Sequence, residues 1–566
     1  MTTSLSVQRV LIANRGEIAS RIAAAAAALG IESVAVHPPL DEQSLHVRTA
    51  TVAAPLPSPH DGVAAYLDGT AVIEAALRQG CDSIHPGYGF LSESAAFAQQ
   101  CVDAGLSFVG PTPSTLSVFG DKVRARELAV QCSVPVIPGS SGIASLDAAR
   151  EAAHNIGYPI MVKAAAGGGG RGMRVVTTDA ALDEAFTRCQ SEALAAFGDG
   201  SLFLERYIVR PRHIEVQVLG DRYGKVVHLS DRDCSVQIRH QKVIEIAPAA
   251  GLDGALRKQL LGDAVRLATA AGLSNAATIE FLVSPETNEY FFIEGNARIQ
   301  VEHTVTEQVT GVDLVQAQFR LAGGATLAEL GLATQEDVPA PRGFAVQARV
   351  VARGSGTFAA YREPTGVGVR VDSNAYAGYT PPPVFDPLFA KVIGQGATLG
   401  GAVDRTLRAL AEYHVAGLPT NLGELQTYLT HPAVRAGDAR TTLVDEMAAA
   451  GGTAAITPTN ALVRFLDSHT AGPGLVAAAT ESTFEDWHHD NEVEVVRAPM
   501  VSTLVELRVS AGDPVTSGSV LAVLSAMKME TVLTSPCDGV IERVTEVGVG
   551  ATLAAGEPVM LLRPSE

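Results

Sequence analysis

The apolar positions of the chain fall into two periods. "RVLIAN" is a short apolar run that predicts a buried strand, and "GEIASRIAAAAAALG" (16–30) predicts a helix ending at a glycine. "ESVAVH" reads as a second strand, so the N-terminus opens as a βαβ unit on a parallel sheet. This alternation runs to about Pro113. Residues 114–206 read as helix, strand, glycine-rich loop, helix and strand. Strands dominate 213–302, broken by one helix at about 254–271. Residues 340–445 give strands and then a helix near 402–413. From 449 to 491 the chain is rich in Ala, Thr, Gly and Ser and reads as a connector; beyond 492 it is short strands and glycine turns.

The last segment repeats itself. Pro499 matches Pro536 at a spacing of 37, and Gly512–Gly550 and Gly518–Gly556 match at 38. Two such halves predict one small all-β sandwich or barrel. Lys528, in "SAMKME", falls between the halves, where a tight turn ordinarily takes Asn-Gly or Asp-Gly.

Composition narrows the function classes. A chain of 566 residues is too long for one core, which predicts two to four domains. The net charge of −19 argues against a nucleic-acid or anionic-membrane surface. Six scattered cysteines without a CxxC pair argue against a disulfide framework or structural zinc. The N-terminus lacks signal-peptide architecture and no apolar run is long enough to span a bilayer, so a cytoplasmic protein is expected.

Three stretches carry candidate chemistry. In "KAAAGGGGRGMRVV", Lys163 ends a strand and the loop 167–172 can close its N–H groups on phosphate oxygens. The loop lacks the GK[ST] of a Walker loop, and a strand rather than a helix follows it. "ATIEFLV" and "EYFFIEGNARIQVEH" flank the turn "SPETN" and predict a hairpin. Centred near Thr287, it sets Glu280 opposite Glu294. Opposed carboxylates repel unless a cation lies between them, which points to Mg²⁺ or Mn²⁺ with Asn296 on the same face. A regular strand would then carry Arg298, Gln300 and Glu302 on that face. "RDCSVQIRHQKVIEIAP" is a basic, amide-rich strand that either binds a small anion or forms a structural ion-pair network.

Together these stretches resemble the biotin-dependent carboxylases. "IANRGEIA", "HPGYGFLSE", "GDK", "KAAAGGGGRGMRVV", "RPRHIEVQVLGD", "EGNARIQVEHTVTE" and "YAGY" look like the biotin carboxylase component, an ATP-grasp fold, and "AMKME" like the biotinylation site of a carrier domain. The resemblance implies an α/β and α+β chain in five parts: an N-terminal βαβ domain (1–113), an ATP-grasp domain (114–330) with a mobile lid (about 132–205), a carboxylase C-terminal domain (331–448), a connector (449–491) and an all-β biotinyl/lipoyl-like sandwich (492–566). It implies that Lys122, Lys163 and Gly168, Gly169 and Gly170 hold ATP phosphates. Glu205, Arg206 and Ile208 would line the adenine pocket, with His213, Gln237 and His240 nearby. Glu280, Glu294 and Asn296 would bind the metal. Lys242, Arg298, Gln300 and Val301 would hold bicarbonate, Glu302 would be the general base, and Arg349 would stabilise the biotin enolate. Biotin would sit covalently on Lys528.

The implied partners are a separate carboxyltransferase subunit, a biotin protein ligase and a second copy of the chain through the carboxylase domain. The implied role is the α-subunit of an acyl-CoA carboxylase, as in fatty acid metabolism, or of a pyruvate carboxylase. "VIEIAPA", "HTVTE" and "AVQAR" look more like the pyruvate and long-chain acyl-CoA branches than like bacterial acetyl-CoA subunits. Fully extended, the 36 residues 456–491 of the connector could reach roughly 120 Å. Several positions depart from the family pattern. Ile238 replaces an Arg, which thins the positive charge beside the bicarbonate site. Gly295 replaces a larger residue, which loosens the metal strand. Arg206 stands where Lys is common, and "HPPLDEQ" and "APMVST" differ from the usual strings. Two other readings compete: a carrier scaffold with a weakened carboxylase domain, and an ATP-grasp ligase joining a carboxylate to an amine.

Overall fold

The computed structural model describes residues 7–140, 143, 145–164, 173–197, 201–451, 494–499, 502–526, 529–545, 547–554 and 556–564. The glycine loop with Gly168, Gly169 and Gly170, most of the connector and Lys528 lie outside the described residues. Among the described residues no helix is long and apolar enough to cross a membrane. The six cysteines are free thiols.

Strands β1 (Arg9–Ile12), β2 (Glu32–His37), β3 (Val52–Pro55), β4 (Ser83–His85) and β5 (Ser107–Phe108) form a parallel sheet in the order β3-β2-β1-β4-β5. The alanine-rich helix Gly16–Ala28 packs on it, because small side chains let helix and sheet approach closely; Ala19, Ala25 and Ala26 are fully buried.

A small layer follows. Strands β6 (Ile160–Ala164), β7 (Met173–Val176) and β8 (Leu202–Arg206) pair antiparallel, with β6 central. Helices Leu146–Ile156 and Asp179–Phe197 flank this sheet around its own core, which includes Ile160, Val162, Leu182, Phe186 and Leu204. A core not shared with the rest is what lets such a layer act as one body.

The largest sheet comprises β9 (Arg212–Gly220), β10 (Val226–Ile238), β11 (Gln241–Ala247), β12 (Asn275–Ser284), β13 (Glu289–Asn296) and β14 (Phe344–Val351), joined by β16 (Val369–Ser373) and β17 (Leu388–Gly396). Its order is β13-β12-β9-β10-β11-β14-β17-β16, antiparallel throughout. β15 (Ala360–Arg362) pairs separately with β18 (His414–Ala416). The sheet runs unbroken across residue 330, because β11 pairs with β14. This continuity carries chemistry from both sides of that point onto one face.

C-terminally, β19 (Glu494–Arg497), β20 (Ser502–Leu507), β21 (Pro514–Val515), β22 (Val520–Ala526), β23 (Met529–Thr534), β24 (Gly539–Val544), β25 (Thr552–Leu553) and β26 (Pro558–Pro564) form two four-stranded sheets over a core including Leu504, Leu524, Ile541 and Leu562. The repeat is physical. Gly512 and Gly550 have φ of +96° and +93°, and Gly518 and Gly556 have +84° and +79°. Their amides donate to Ile541, Leu504, Ser535 and Ala498 in turn, so each half's glycines bond into the other half. The paired residues nearest Lys528 are Ala526 and Met529.

Candidate active site

The site begins with register. Glu280 on β12 pairs with Glu294 on β13 and, on its other side, with Glu215 on β9; Glu215 in turn pairs with Arg232 on β10. One row across four strands therefore reads Arg, Glu, Glu, Glu. The hairpin reaches this register through a bulge: pairs near the turn sum to 573, as in Ser284↔Glu289, whereas Glu280↔Glu294 sums to 574. The extra residue, Ile293, lies between the two registers and is exposed.

The regular strand expected beyond Asn296 is absent. β13 ends there, residues 297–302 follow without strand pairing, and a helix starts at His303. Gln300 and Glu302 still reach the face, through an irregular turn rather than by alternation. Gln300 donates to Glu280 (2.7 Å) and accepts from Arg232 (2.8 Å). Glu302 accepts from Lys242 (2.8 Å) and from Arg349 (3.0 Å). Arg298 donates to Asn296 (2.9 Å) and pairs with Glu93 (3.2 Å). The side chain of Val301 is not part of the network; its carbonyl accepts from Lys391.

Lys242 is the hub. Its ammonium donates to Glu215 (2.5 Å), Glu280 (3.0 Å) and Glu302 (2.8 Å). Burial works against its charge, but the three carboxylates outweigh burial and hold it protonated far above the ordinary lysine range. Glu302 is buried too. Lys242, Arg349 and Arg232 more than offset that burial and hold its carboxyl well below the carboxylate range. Glu280 is depressed likewise, by Lys242 and then His213. Gln237 donates to Nδ1 of His213 (2.8 Å), which leaves the Nε2 proton to donate to Glu280 (2.5 Å). Glu294 moves the other way: burial and then the charge of Glu280 push it up. A divalent cation would remove that repulsion, and the oxygens of Glu280, Glu294 and Asn296 are the hard donors Mg²⁺ or Mn²⁺ prefer. The residues fit the metal. The thiol of Cys234, near Glu215 and Glu302, is pushed up by burial and by Glu215 and stays protonated, which disfavours it as a ligand.

The nucleotide-side candidates sit on separate elements. Lys163 and Glu205, from neighbouring strands of the small sheet, form an ion pair. Arg206 pairs with Glu289 (3.2 Å), and Ile208 is buried with Ile137 and Phe291. Lys122 is exposed at the start of the helix Lys122–Gln131, whose N-cap is Asp121. His240 is exposed beside Arg239 at the β10–β11 tip, with φ of +66° and +50°. A two-residue turn of this kind favours glycine or asparagine, so holding Arg and His there costs roughly 1–3 kcal/mol per residue.

Two departures look different in the structure. A Cβ on Gly295 would stand 2.3 Å from Phe119, whose ring fills the space, so the strand is packed rather than loosened. Ile238 packs against the core around Val236, Ile244 and Val392. Sequence reasoning gave no role to Glu215, Glu245 or Lys391. Glu245 is fully buried and pairs with Arg349 (2.5 Å). Each sits inside an apolar strand, and the only signal was the presence of a charge there.

Four family profiles match the chain in sequence: "Biotin carboxylase, N-terminal domain" over 6–116, "Carbamoyl-phosphate synthase L chain, ATP binding domain" over 121–330, "Biotin carboxylase C-terminal domain" over 347–446 and "Biotin-requiring enzyme" over 494–562. A mitochondrial pyruvate carboxylase of Mus musculus is 47% identical over 450 residues, 78% of this chain and 38% of that protein. The biotin carboxylase domain dimer of Hydrogenobacter thermophilus 2-oxoglutarate carboxylase, solved with MgADP, ADP and bicarbonate, is 39% identical with a TM-score of 0.71, covering 78% of this chain and 98% of that one. Rhizobium etli pyruvate carboxylase is 41% identical with a TM-score of 0.71, over 78% of this chain and 40% of that one. The match therefore spans well under half the length of both pyruvate carboxylases.

Proposed function

The chain belongs to the biotin-dependent carboxylases, with a biotin carboxylase and a biotin carrier fused in one polypeptide, and from that premise we propose that it uses ATP and bicarbonate to carboxylate biotin held on its own Lys528. The observation that carries this reading is Glu302: a buried carboxylate, kept ionised, bonded at once to Lys242 and Arg349.

The residues divide the work. Glu302 takes the proton of bicarbonate, whose oxygen then attacks the γ-phosphate of ATP; ADP leaves, and the carboxyphosphate formed breaks down to carbon dioxide and phosphate. Lys242 is committed to three carboxylates, so bicarbonate enters by displacing one of them; Arg298 adds a second cation. Arg349, held by Glu245, offers its guanidinium beside Glu302 to an anion developing on biotin. Lys122 and Lys163 belong to ATP, and the small layer over β6 to β8 is the lid that excludes water from the labile carboxyphosphate. Glu280, Glu294 and Asn296 would hold a divalent cation, which would neutralise charge on the transferring phosphoryl group. Biotin would supply the nitrogen that accepts carbon dioxide, with its proton passing to the released phosphate. The MgADP and bicarbonate bound to the Hydrogenobacter domain support these assignments.

The acceptor is a separate question. Residues 447–493, between the two matched regions, are too few to hold a carboxyltransferase. Transfer to the acceptor therefore falls to chain outside these 566 residues, which we assign to a separate β-subunit. The relatives' names support a 2-oxo acid, with acyl-CoA as the competing class. A cytoplasmic homo-oligomer biotinylated by a biotin protein ligase completes the reading. The test is phosphate release from ATP by purified, biotinylated protein. Release is expected only with bicarbonate, and with added free biotin as well; its absence in both would end the proposal. Co-purified partner chain, assayed with pyruvate, acetyl-CoA, propionyl-CoA and longer acyl-CoAs, identifies the acceptor.

A further inference from the structure

Lys391 is among the largest fully buried side chains, and the reaction as described does not use it. It lies on β17, paired across the sheet with Arg349 of β14. Its ammonium forms a 2.8 Å ion pair with Glu17, from the first helix of the N-terminal domain, and lies 3.7 Å from Asp372 on β16. Its remaining bond runs to the carbonyl of Val301 (3.2 Å). Glu17 also accepts from the hydroxyl of Tyr88, in the "HPGYGF" loop. One buried chain of contacts thus links Tyr88, Glu17, Lys391 and the Val301–Glu302 turn, and it ties four separate stretches of sequence together.

Side chains, rather than strand pairing, hold the turn, and Lys391 reaches its backbone from β17. Residues 297–302 have left the sheet, so ladder bonds do not fix their position. A carbonyl facing a buried ammonium is held more firmly than one facing a neutral donor. Glu17 in turn fixes the ammonium, since a lysine this deep requires a carboxylate partner.

We propose that Lys391, anchored by Glu17, is a positioning residue that holds the Val301–Glu302 turn in its bicarbonate-binding form. The inference rests on the reading that this turn holds bicarbonate. Lys391 acts through Val301 and touches no substrate. Its loss loosens the bicarbonate side and leaves the ATP side, built on other strands, unchanged.

The test must separate positioning from folding. Lys391→Met alone strands the Glu17 carboxylate and is expected to unfold the domain. The double variant Lys391→Met/Glu17→Gln replaces the buried pair by neutral groups of similar volume, an exchange that buried pairs often tolerate. In full-length biotinylated protein, the double variant is expected to melt within a few degrees of wild type, to raise KM for bicarbonate about tenfold and to leave KM for ATP within twofold. Glu17→Gln alone, which frees Lys391 to shift toward Asp372, is expected to raise KM for bicarbonate two- to fivefold. Either folded variant with an unchanged KM for bicarbonate, or with both KM values raised equally, overturns the proposal. A wild-type protein without bicarbonate-dependent ATP cleavage would instead count against the functional reading itself.

Discussion

The carrier and the catalytic face of the carboxylase fold by opposite logics. In the carrier, two halves answer each other: Gly512 with Gly550 and Gly518 with Gly556, at nearly equal φ and with exchanged backbone partners. Its architecture follows from local turn chemistry repeated once. On the catalytic face, by contrast, Glu215, Glu280 and Glu294 stand side by side, and Arg232 and Lys242 from other strands hold the first two. A row of like charges on one sheet face is unfavourable by itself. It persists because Arg232 and Lys242, brought in by other strands, offset the charge. The carrier rests on backbone turns that repeat in each half; the acidic row gives up local stability for an electrostatic arrangement assembled across strands.

The largest difference between the two is expected on removing the base. Glu302→Gln should lower bicarbonate-dependent phosphate release roughly a hundredfold to ten-thousandfold. Biotinylation of Lys528 should be untouched, as measured by avidin blot. Comparable losses in both would mean that the two regions are not separable.

Packing behind the row is the next test. Gly295→Ala places a methyl group against the Phe119 ring, three residues before Lys122. Overpacking should cost about 1–3 kcal/mol in chemical denaturation and raise KM for ATP several-fold. Gly295→Ala/Phe119→Leu should recover most of both. Additive losses in the double variant would show that the two positions are not coupled.

Turn glycines offer the matching perturbation in the carrier. Gly512→Ala and Gly550→Ala should each destabilise the carrier, by about 1–2 kcal/mol for a left-handed non-glycine residue. The two losses should agree closely, and carboxylation of free biotin should stay at the wild-type rate. Unequal losses would break the two-fold account.

The smallest effect is the pH dependence. Glu280 and Glu302 have folded-state pKa values below their unfolded ones. Their contribution is present above the ordinary carboxylate pKa of about 4.3 and is lost as pH falls through the lowered values. Glu294 is raised, so it costs stability above its folded pKa, and that cost fades as pH falls toward its unfolded value. Mg²⁺ should therefore raise the carboxylase melting temperature more at neutral pH than at pH 5, and Glu294→Gln should remove most of the difference. The carrier transition should not respond to Mg²⁺.

The same contrast explains what was readable in the chain. The helix expected at about 254–271 spans Gly254–Ala270, and "ESVAVH" is β2 as read, because both follow from local period. The opposition of Glu280 and Glu294 was also readable, though the bulge at Ile293 makes it so only at the far end of the hairpin. Glu302 was reached by assuming a regular strand that ends at Asn296. Glu215 and Lys391 were opaque for a different reason. Their partners, Arg232 with Lys242 and Glu17 with Val301, lie far away in sequence, and no local pattern marks a charge that is neutralised across a sheet.

The most direct measurement of the central claim is transfer of radiolabelled bicarbonate carbon onto the biotinylated chain itself. Label is expected to stay on the protein only after ATP and Mg²⁺ are added, to be abolished by Lys528→Arg and to be slowed by Glu302→Gln roughly a hundredfold to ten-thousandfold. Labelling without ATP, labelling of the Lys528→Arg variant, or labelling of the Glu302→Gln variant at the wild-type rate, would contradict it.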